Sequence, residues 1–403
     1  MTDFELAIVG GGPAGAATAL FLCHLAPALR DRIVLIDKAT FPRDKICAGA
    51  IGARADRLLE TIGVHIPVPS VATAGLQVSA RCGTLTARLP GRPIARVVRR
   101  IDYDAALLDQ VREQGVEVRD GVALEALERR ATGVELSTTK GALSARAVVG
   151  AAGVGSTVRR SIGLPRGRYH AQAVEVDTPW TQTDRDRDLL CFDIVDDGLV
   201  GYAWDFPTRV DGASKVCRGV YRLTRGAPEP HLGAPRAEAA RLDIAERLAQ
   251  RLRASGIDPA GLHFRRYAER GLAWHEPCAV SRVALVGEAA GIDPVLGEGI
   301  AQAIFYGKTA ADYLAACAER GDYRFGDYRA AVMRSPVGRD LRIRAAMVRF
   351  IYGPRRPLAE RWVVGSRHLA VAGISYFSGR RVPRKCLWGA AVDLATSAWP
   401  PWR

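Results

Sequence analysis

With 403 residues, 48% of them hydrophobic and 41 of them glycine, the chain can build two or three packed units, and its turn content excludes a helical bundle or a disordered chain. Its net charge of +14 is unevenly spread: residues 334–403 hold fourteen Lys/Arg against three acids, a surplus of eleven. Eight cysteines without a CxxC pair exclude a zinc-ribbon or disulfide framework and favour a reducing compartment.

No basic leader precedes the first apolar run, and no apolar run reaches the length of a membrane span, so a cytoplasmic protein is expected. The basic C-terminal stretch suits an anionic membrane surface, an acidic carrier protein or a phosphorylated substrate. A solvated basic helical surface explains it equally well. It carries no nucleic-acid-binding motif, and nucleic acid is not expected as a partner.

In chain order, Glu5–Val9 reads as a short strand entering Gly10-Gly11-Gly12-Pro13-Ala14-Gly15. A small-residue helix follows to about Leu25, then a strand over Arg32–Ile36 that ends on Asp37. This is strand, GxGxxG, helix, strand and acid. Gly10 makes the turn, Gly12 admits a pyrophosphate, Gly15 brings helix to sheet, and Asp37 binds a ribose hydroxyl.

Phe41–Ala50 (FPRDKICAGA) is a loop before a helix near Arg54–Thr61. Arg43 and Lys45 could neutralise phosphate, and Cys47 could meet a flat ring. On the residues alone, a surface loop with a buried free cysteine is the better reading. Residues 75–98 alternate as a hairpin, and Arg100-Ile101-Asp102 opens a helix running to about Glu113. Val116–Val118, Gly133–Ser137 and Ala147–Val149 read as strands returning to the first sheet, the last ending in Gly150-Ala151-Ala152-Gly153.

Over 166–265 the helical period fades. Strand-like runs at 171–177, 189–195, 198–206 and 215–223, with a helix near 235–254, predict an inserted antiparallel sheet. Alternation puts Tyr202, Trp204 and Phe206 on one face of a strand ended by Pro207. That face is either the wall of a pocket or the core side of a sheet. Residues 287–300 (GEAAGIDPVLGEGI) then carry an acid, Glu288, and a glycine pair, Gly297 and Gly299, at the start of a helix from Ile300 to about 318. Glu288 can accept from ribityl hydroxyls, and the helix start presents bare amides. Amphipathic helices are expected near 338–350 and 356–372.

These pieces together resemble the geranylgeranyl-reductase family of flavoproteins, relatives of the aromatic hydroxylases and flavin-dependent halogenases. The motifs are GGGPAGA at 10–16, FPRDKICAGA at 41–50, Arg100 with Asp102, GYAWDFP at 201–207 and GEAAGIDPVLGEGI at 287–300. The resemblance implies an α/β fold: a Rossmann-type FAD-binding domain (1–75, 96–165, 266–330), an inserted antiparallel β-sheet substrate domain (76–95, 166–265) and a basic C-terminal helical region (331–403). By it, Gly10, Gly12, Ala14, Gly15, Asp37 and Lys38 hold the ADP half of FAD, with Leu124 at the adenine. Cys47, Ala48 and Arg100 approach the flavin or its phosphate, Glu288 binds ribityl, and Gly297, Gly299 and Ile300 face the pyrimidine edge. Tyr202, Trp204 and Phe206 line the substrate cavity. No metal is implied, and no protein residue is certain to be catalytic, Cys47 and Lys45 being the candidates near the flavin.

The chain departs from the family at Glu288 (for Asp), at Cys47-Ala48-Gly49 (for CGG), at Leu199 (for Pro) and at Ala151-Ala152-Gly153 (for ADG). The last departure implies an indirect NAD(P)H supply through a separate flavin reductase. Expected activities are reduction of C=C bonds in an isoprenoid-like or lipid-like substrate, or oxygenation (less readily halogenation) of an aromatic or carrier-bound substrate through a C4a-hydroperoxide. A flavin-bound interaction protein without turnover, docked through the basic end at a membrane surface or carrier, is the third class.

Overall fold

The chain forms two main sheets, and the segments that connect them bound a large cleft. The computed structural model describes residues 2–165, 167–182, 184, 188–196, 198–225 and 243–397. The first sheet grows from Phe4–Val9, which pairs in parallel with Ile33–Ile36 on one side and Gly141–Gly150 on the other. Val283–Leu285 and Glu117–Arg119 extend it at either end, both in parallel. Val134–Thr138 folds back antiparallel onto Gly141–Gly150, and Leu124–Arg129 pairs antiparallel with Val134–Thr138. Leu6, Ile8, Ile33–Ile36, Val148, Val149 and Val283–Leu285 are fully buried; parallel strands covered on both faces need such unbroken apolar runs.

The helices Pro13–Leu25 and Ile300–Arg320 lie against each other although nearly three hundred residues separate them. Small side chains permit this. A Cβ at Gly307 would meet Ala17 Cβ and Thr18 N at 2.7 Å, and one at Gly287 would meet Ala14 Cβ at 2.6 Å. Close crossing brings both helix N-termini to one cleft.

The second sheet has seven strands, in the order Arg265–Gly271, Tyr169–Thr178, Ala213–Arg225, Gly201–Val210, Leu189–Asp193, Gly75–Ala80, Gly83–Arg88. All its pairs are antiparallel except Leu189–Asp193 with Gly75–Ala80. Arg265–Gly271 pairs along Tyr169–Glu175, so this sheet continues past residue 265. Ala95–Val98 leaves the hairpin and joins a small sheet with Ala50–Gly52 and Ser70–Thr73. One face of the seven-stranded sheet packs Val174, Ala203 and Val220 under Ile244, Leu248 and Leu252 of the helix Ile244–Ala254. Of the helix expected near 235–254, residues 235–242 lie outside the described residues.

Two expectations are corrected. Pro207 does not end its strand, which runs on to Val210 opposite Ala213. Beyond Asp205 that strand has one sheet neighbour among the described residues, and a proline is tolerated at such an edge. The helix expected over 356–372 is two helices, Arg356–Gly365 and Arg367–Phe377. Ser366 is extended there (φ −95°, ψ 102°), and its hydroxyl accepts from the Leu369 amide at 3.0 Å, so it starts a new helix. The helices Pro336–Tyr352 and Arg384–Ser397 complete the C-terminal region. No helix among the described residues is long and apolar enough to cross a membrane.

Candidate functional site

A cleft of ≈ 500 Å³ opens between the first sheet, the loop 43–47 and the edge of the second sheet. The glycine turn forms one end. Gly10 has φ 118°, and a Cβ there would strike the Ala151 carbonyl at 2.6 Å; a Cβ on Gly15 would lie 1.9 Å from Gly10 O. Both glycines are demanded by backbone contact. Gly12 differs: its nearest neighbour would be Arg43 Nη2 at 3.7 Å, so its open side faces the cleft. Gly12 caps the helix Pro13–Leu25 without a side-chain acceptor, leaving the first amides free for an anion. Asp37 braces the turn, its Oδ2 accepting from Gly11 N at 2.7 Å and its Oδ1 from Ala39 N at 2.8 Å.

At the other end, Gly297, Gly299 and Ile300 line the cleft, and Gly299 caps Ile300–Arg320, again with no side-chain acceptor. The segment before it is held from several sides. Tyr202 donates its hydroxyl to the Leu296 carbonyl, and Tyr221 donates to the Pro294 carbonyl at 3.2 Å. Asp293 is buried and accepts from Val295 N at 2.7 Å, while Arg344 of the C-terminal region contacts Asp293 and Glu298 together. Arg54 reaches the other oxygen of Glu298 at 2.7 Å. Two cations of the C-terminal basic region are therefore internal: Arg344 and Arg356 are both spent on buried partners.

Charge in the cleft is largely paired. Lys45 Nζ lies 3.2 Å from Glu288 Oε2, and Arg43 reaches Asp104 at 2.8 Å. Arg100 grips the same buried Asp104 through two bonds of 2.6 Å; that carboxylate holds its guanidinium firmly protonated against the cost of burial. Burial pushes the Cys47 thiol up, so it stands as a thiol. Gly10, Gly12, Ala14, Asp37, Lys38, Lys45, Cys47, Arg100, Leu124, Glu288, Gly297, Gly299 and Ile300 all line the cleft, whereas Gly15 and Ala48 do not. Ala48 packs towards the aromatic core instead.

Tyr202, Trp204 and Phe206 do share one face of their strand, but that face is core. They are 6%, 2% and 5% exposed and none lines the cleft. Tyr202 stacks on Tyr221 at 5.3 Å, and the Trp204 ring lies over Gly219, where a Cβ would come within 2.1 Å. Two lining residues that sequence reasoning passed over, Tyr267 and Glu269, come from the edge strand Arg265–Gly271. Their period-two spacing was the available signal, and the flanking arginines masked it. A smaller cavity of ≈ 220 Å³ on the second sheet is lined by Asp193, Asp205 and Arg251, which pair with one another. Among the described residues no cluster of His, Cys, Asp and Glu is suited to a metal.

The donor set fits a ligand with phosphates and hydroxyls: two uncapped helix starts, a glycine open to the cleft, and the Asp37 and Glu288 carboxylates. The sequence family described as FAD binding domain matches residues 3–322. The chain belongs to this FAD binding domain family. Its cofactor is FAD, and it is an FAD-dependent oxidoreductase. A relative from Methanosarcina barkeri, itself uncharacterized, is 24% identical over 94% of this chain and 91% of its own. The menaquinone reductase of Mycobacterium tuberculosis is 28% identical over 55% of each chain. In fold, the chain is similar to a geranylgeranyl bacteriochlorophyll reductase-like protein of Thermoplasma acidophilum (TM-score 0.66, 17% identity, 96% of each chain). It is also similar to a variant of halogenase PltM in complex with FAD (TM-score 0.65, 16% identity, 97% of this chain and 85% of that one).

Proposed function

We propose that this FAD enzyme is a reductase that saturates C=C bonds of a hydrophobic, isoprenoid-like or lipid-like substrate. The observation that carries the reading is the pairing of Lys45 with Glu288 at 3.2 Å. It occupies the one lysine of the loop 41–50 that could have steered an oxidised halogen species. The menaquinone reductase and reductase-like relatives add support. When bound, FAD supplies the two-electron chemistry. The chain supplies the rest. Gly10, Gly12, Ala14, Gly15, Asp37, Lys38 and Leu124 hold the ADP half. Arg43 and Arg100, fixed on Asp104, keep the loop 43–48 in place, and Cys47 closes over the ring. Glu288 accepts from ribityl hydroxyls, and the amides at Gly297, Gly299 and Ile300 favour negative charge at the pyrimidine edge. Tyr202, Trp204 and Phe206 serve the substrate from behind, by fixing the segment 294–296.

In this reading Ala151-Ala152-Gly153 leaves no carboxylate for a nicotinamide partner, and a separate flavin reductase drawing on NAD(P)H supplies electrons. The test is anaerobic: dithionite-reduced protein is mixed with geranylgeranyl diphosphate or menaquinone, and return of the oxidised flavin spectrum together with a saturated product is expected. The second reading, oxygenation of an aromatic or carrier-bound substrate, has the fold shared with halogenase PltM in its favour. Reduced protein that ignores alkenes yet couples O2 uptake to a modified aromatic would select it. Protein that does neither would be a flavin-bound interaction module.

The C-terminal helices suit work at an anionic membrane surface. Leu387, Trp388 and Val392 are 57%, 76% and 44% exposed on Arg384–Ser397, with Arg384 and Lys385 exposed at its start. The helix Arg367–Phe377, packed against it at His368 and Gly389, adds exposed Arg367 and Val371. An apolar stripe framed by cations matches lipid tails under acidic headgroups, where a lipid-like substrate resides.

A further inference from the structure

We infer that Glu269 is the proton donor of the cleft, delivering its carboxyl proton to the substrate carbon that the cofactor does not reach. The inference rests on the reductase reading above and adds the residue that completes it. Saturating a C=C bond takes two electrons and one hydrogen from reduced FAD, and a second hydrogen as a proton. A Glu269 O–H bond would break as the new C–H bond forms, leaving a carboxylate that water reprotonates.

Three features of the site point to this side chain. Glu269 projects from the edge strand Arg265–Gly271 on the same face as Tyr267, and both line the cleft. Its Oε2 reaches the far wall: a Cβ on Gly297 would come within 2.4 Å of it. The carboxyl thus lies between the start of the late helix and the tyrosines Tyr202 and Tyr221. That Oε2 is sealed from solvent and has no hydrogen-bond partner among the described residues, an arrangement that an ionised carboxylate does not tolerate.

The surroundings agree. Glu288 on the 3-10 turn Gly287–Ala289, Asp293 on the following segment and Glu175 on the neighbouring strand all face Glu269 as acids. Lys45 on the loop 43–47 is the cation that opposes them, and it is engaged by Glu288. Burial first, then these acids, push the Glu269 carboxyl well above its ordinary value. A carboxyl held in its acid form is matched to general-acid work. Glu175, a buried acid of the same sheet, has Arg265 at 3.1 Å and does not line the cleft.

The test uses the FAD-loaded full chain and its Glu269→Gln and Glu269→Asp variants. The infrared spectrum of the native protein minus that of Glu269→Gln, both at pH 7, is expected to show a protonated-carboxyl carbonyl band that the variant lacks. In anaerobic mixing with geranylgeranyl diphosphate or menaquinone, Glu269→Gln should slow formation of the saturated product by about 10²–10⁴-fold. Glu269→Asp should retain part of the rate with a displaced pH profile. Reoxidation by ferricyanide, which needs no proton on carbon, should be unchanged in both. Absence of the band, or a Glu269→Gln variant that reduces the alkene as fast as the native protein, overturns the role of Glu269 alone. A native protein that shows the band and reacts with neither alkene overturns the reductase reading, and the alkene as proton acceptor with it.

Discussion

Arg344, on a helix of the C-terminal region, donates to Glu298 Oε2 at 2.8 Å while also contacting the buried Asp293. One guanidinium thereby spans the two ends of the segment that leads into the helix Ile300–Arg320. Through Arg344, the C-terminal region braces the cofactor cleft. Replacing Arg344 by Met leaves Asp293 and Glu298 short of a cation in a buried setting, which should cost about 3–5 kcal/mol. Urea unfolding of the apoprotein measures the loss, and equilibrium dialysis should show weaker FAD retention. Arg344→Lys keeps charge without the fork and should fall between the two.

Tyr202→Phe isolates the hydroxyl that holds the Leu296 carbonyl. The ring packing stays, so the expected loss is about 1 kcal/mol, with roughly fivefold weaker FAD binding if the segment loosens only in the apoprotein. Titration of apoprotein with FAD by fluorescence quenching reads this directly. An unaltered dissociation constant would separate the aromatic core from cofactor positioning.

Gly12→Val should yield a folded, colourless protein. The Gly12 backbone is at φ −74°, open to any residue, and nothing but Arg43 Nη2 stands near its Cβ direction. The branched side chain therefore fills the cleft without disturbing the fold. A melting temperature close to that of native apoprotein, with no bound flavin after purification, is the expected pair of results. A yellow variant would refute the position assigned to the pyrophosphate.

Glu175 gives the protein a pH-dependent component of stability. Burial, opposed by Arg265, lifts its carboxyl from 4.5 to about 7. The folded state therefore binds the proton more tightly than the unfolded chain. This contribution is fully present below pH 4.5 and is lost as pH rises through about 7, a change on the order of 1–3 kcal/mol. Glu175→Gln should flatten that slope in chemical denaturation run between pH 5 and pH 8.

Replacing Leu387 and Trp388 together by Ser removes the most exposed apolar surface of the helix Arg384–Ser397. Sedimentation with phosphatidylglycerol vesicles should fall by roughly tenfold or more, with FAD content unchanged. Equal partitioning of the double variant, or of native protein between neutral and anionic vesicles, would dismiss the membrane reading.

The parts of the site that sequence reasoning located are those whose role is local. The turn Gly10–Gly15 with Asp37, and the run from Glu288 to Ile300, are single stretches in which turn, cap and acid follow from residue type and spacing. The aromatic alternation at 202–206 was legible as one face of a strand. Its destination in the core was not, because that depends on Tyr221, Phe192 and Tyr352 arriving from other elements. Glu269 was hidden for the same reason. In sequence it stands between arginines, and only its pairing along Tyr169–Glu175 turns it into the cleft. Arg344 read as one more cation in a basic run until folding set it beside Asp293 and Glu298. The break at Ser366 was written in a serine cap, but apolar periodicity on both sides obscured it.

The contact of Gly307 with Ala17 and Thr18 has a bearing on biosynthesis. A nascent chain that has emerged only as far as its first three hundred residues lacks the partner of the N-terminal helix and half of the nucleotide cradle. Flavin capture is consequently expected to wait for the helix that begins at Ile300. Ribosome-bound intermediates should remain flavin-free until the stretch beyond Ile300 has cleared the exit tunnel.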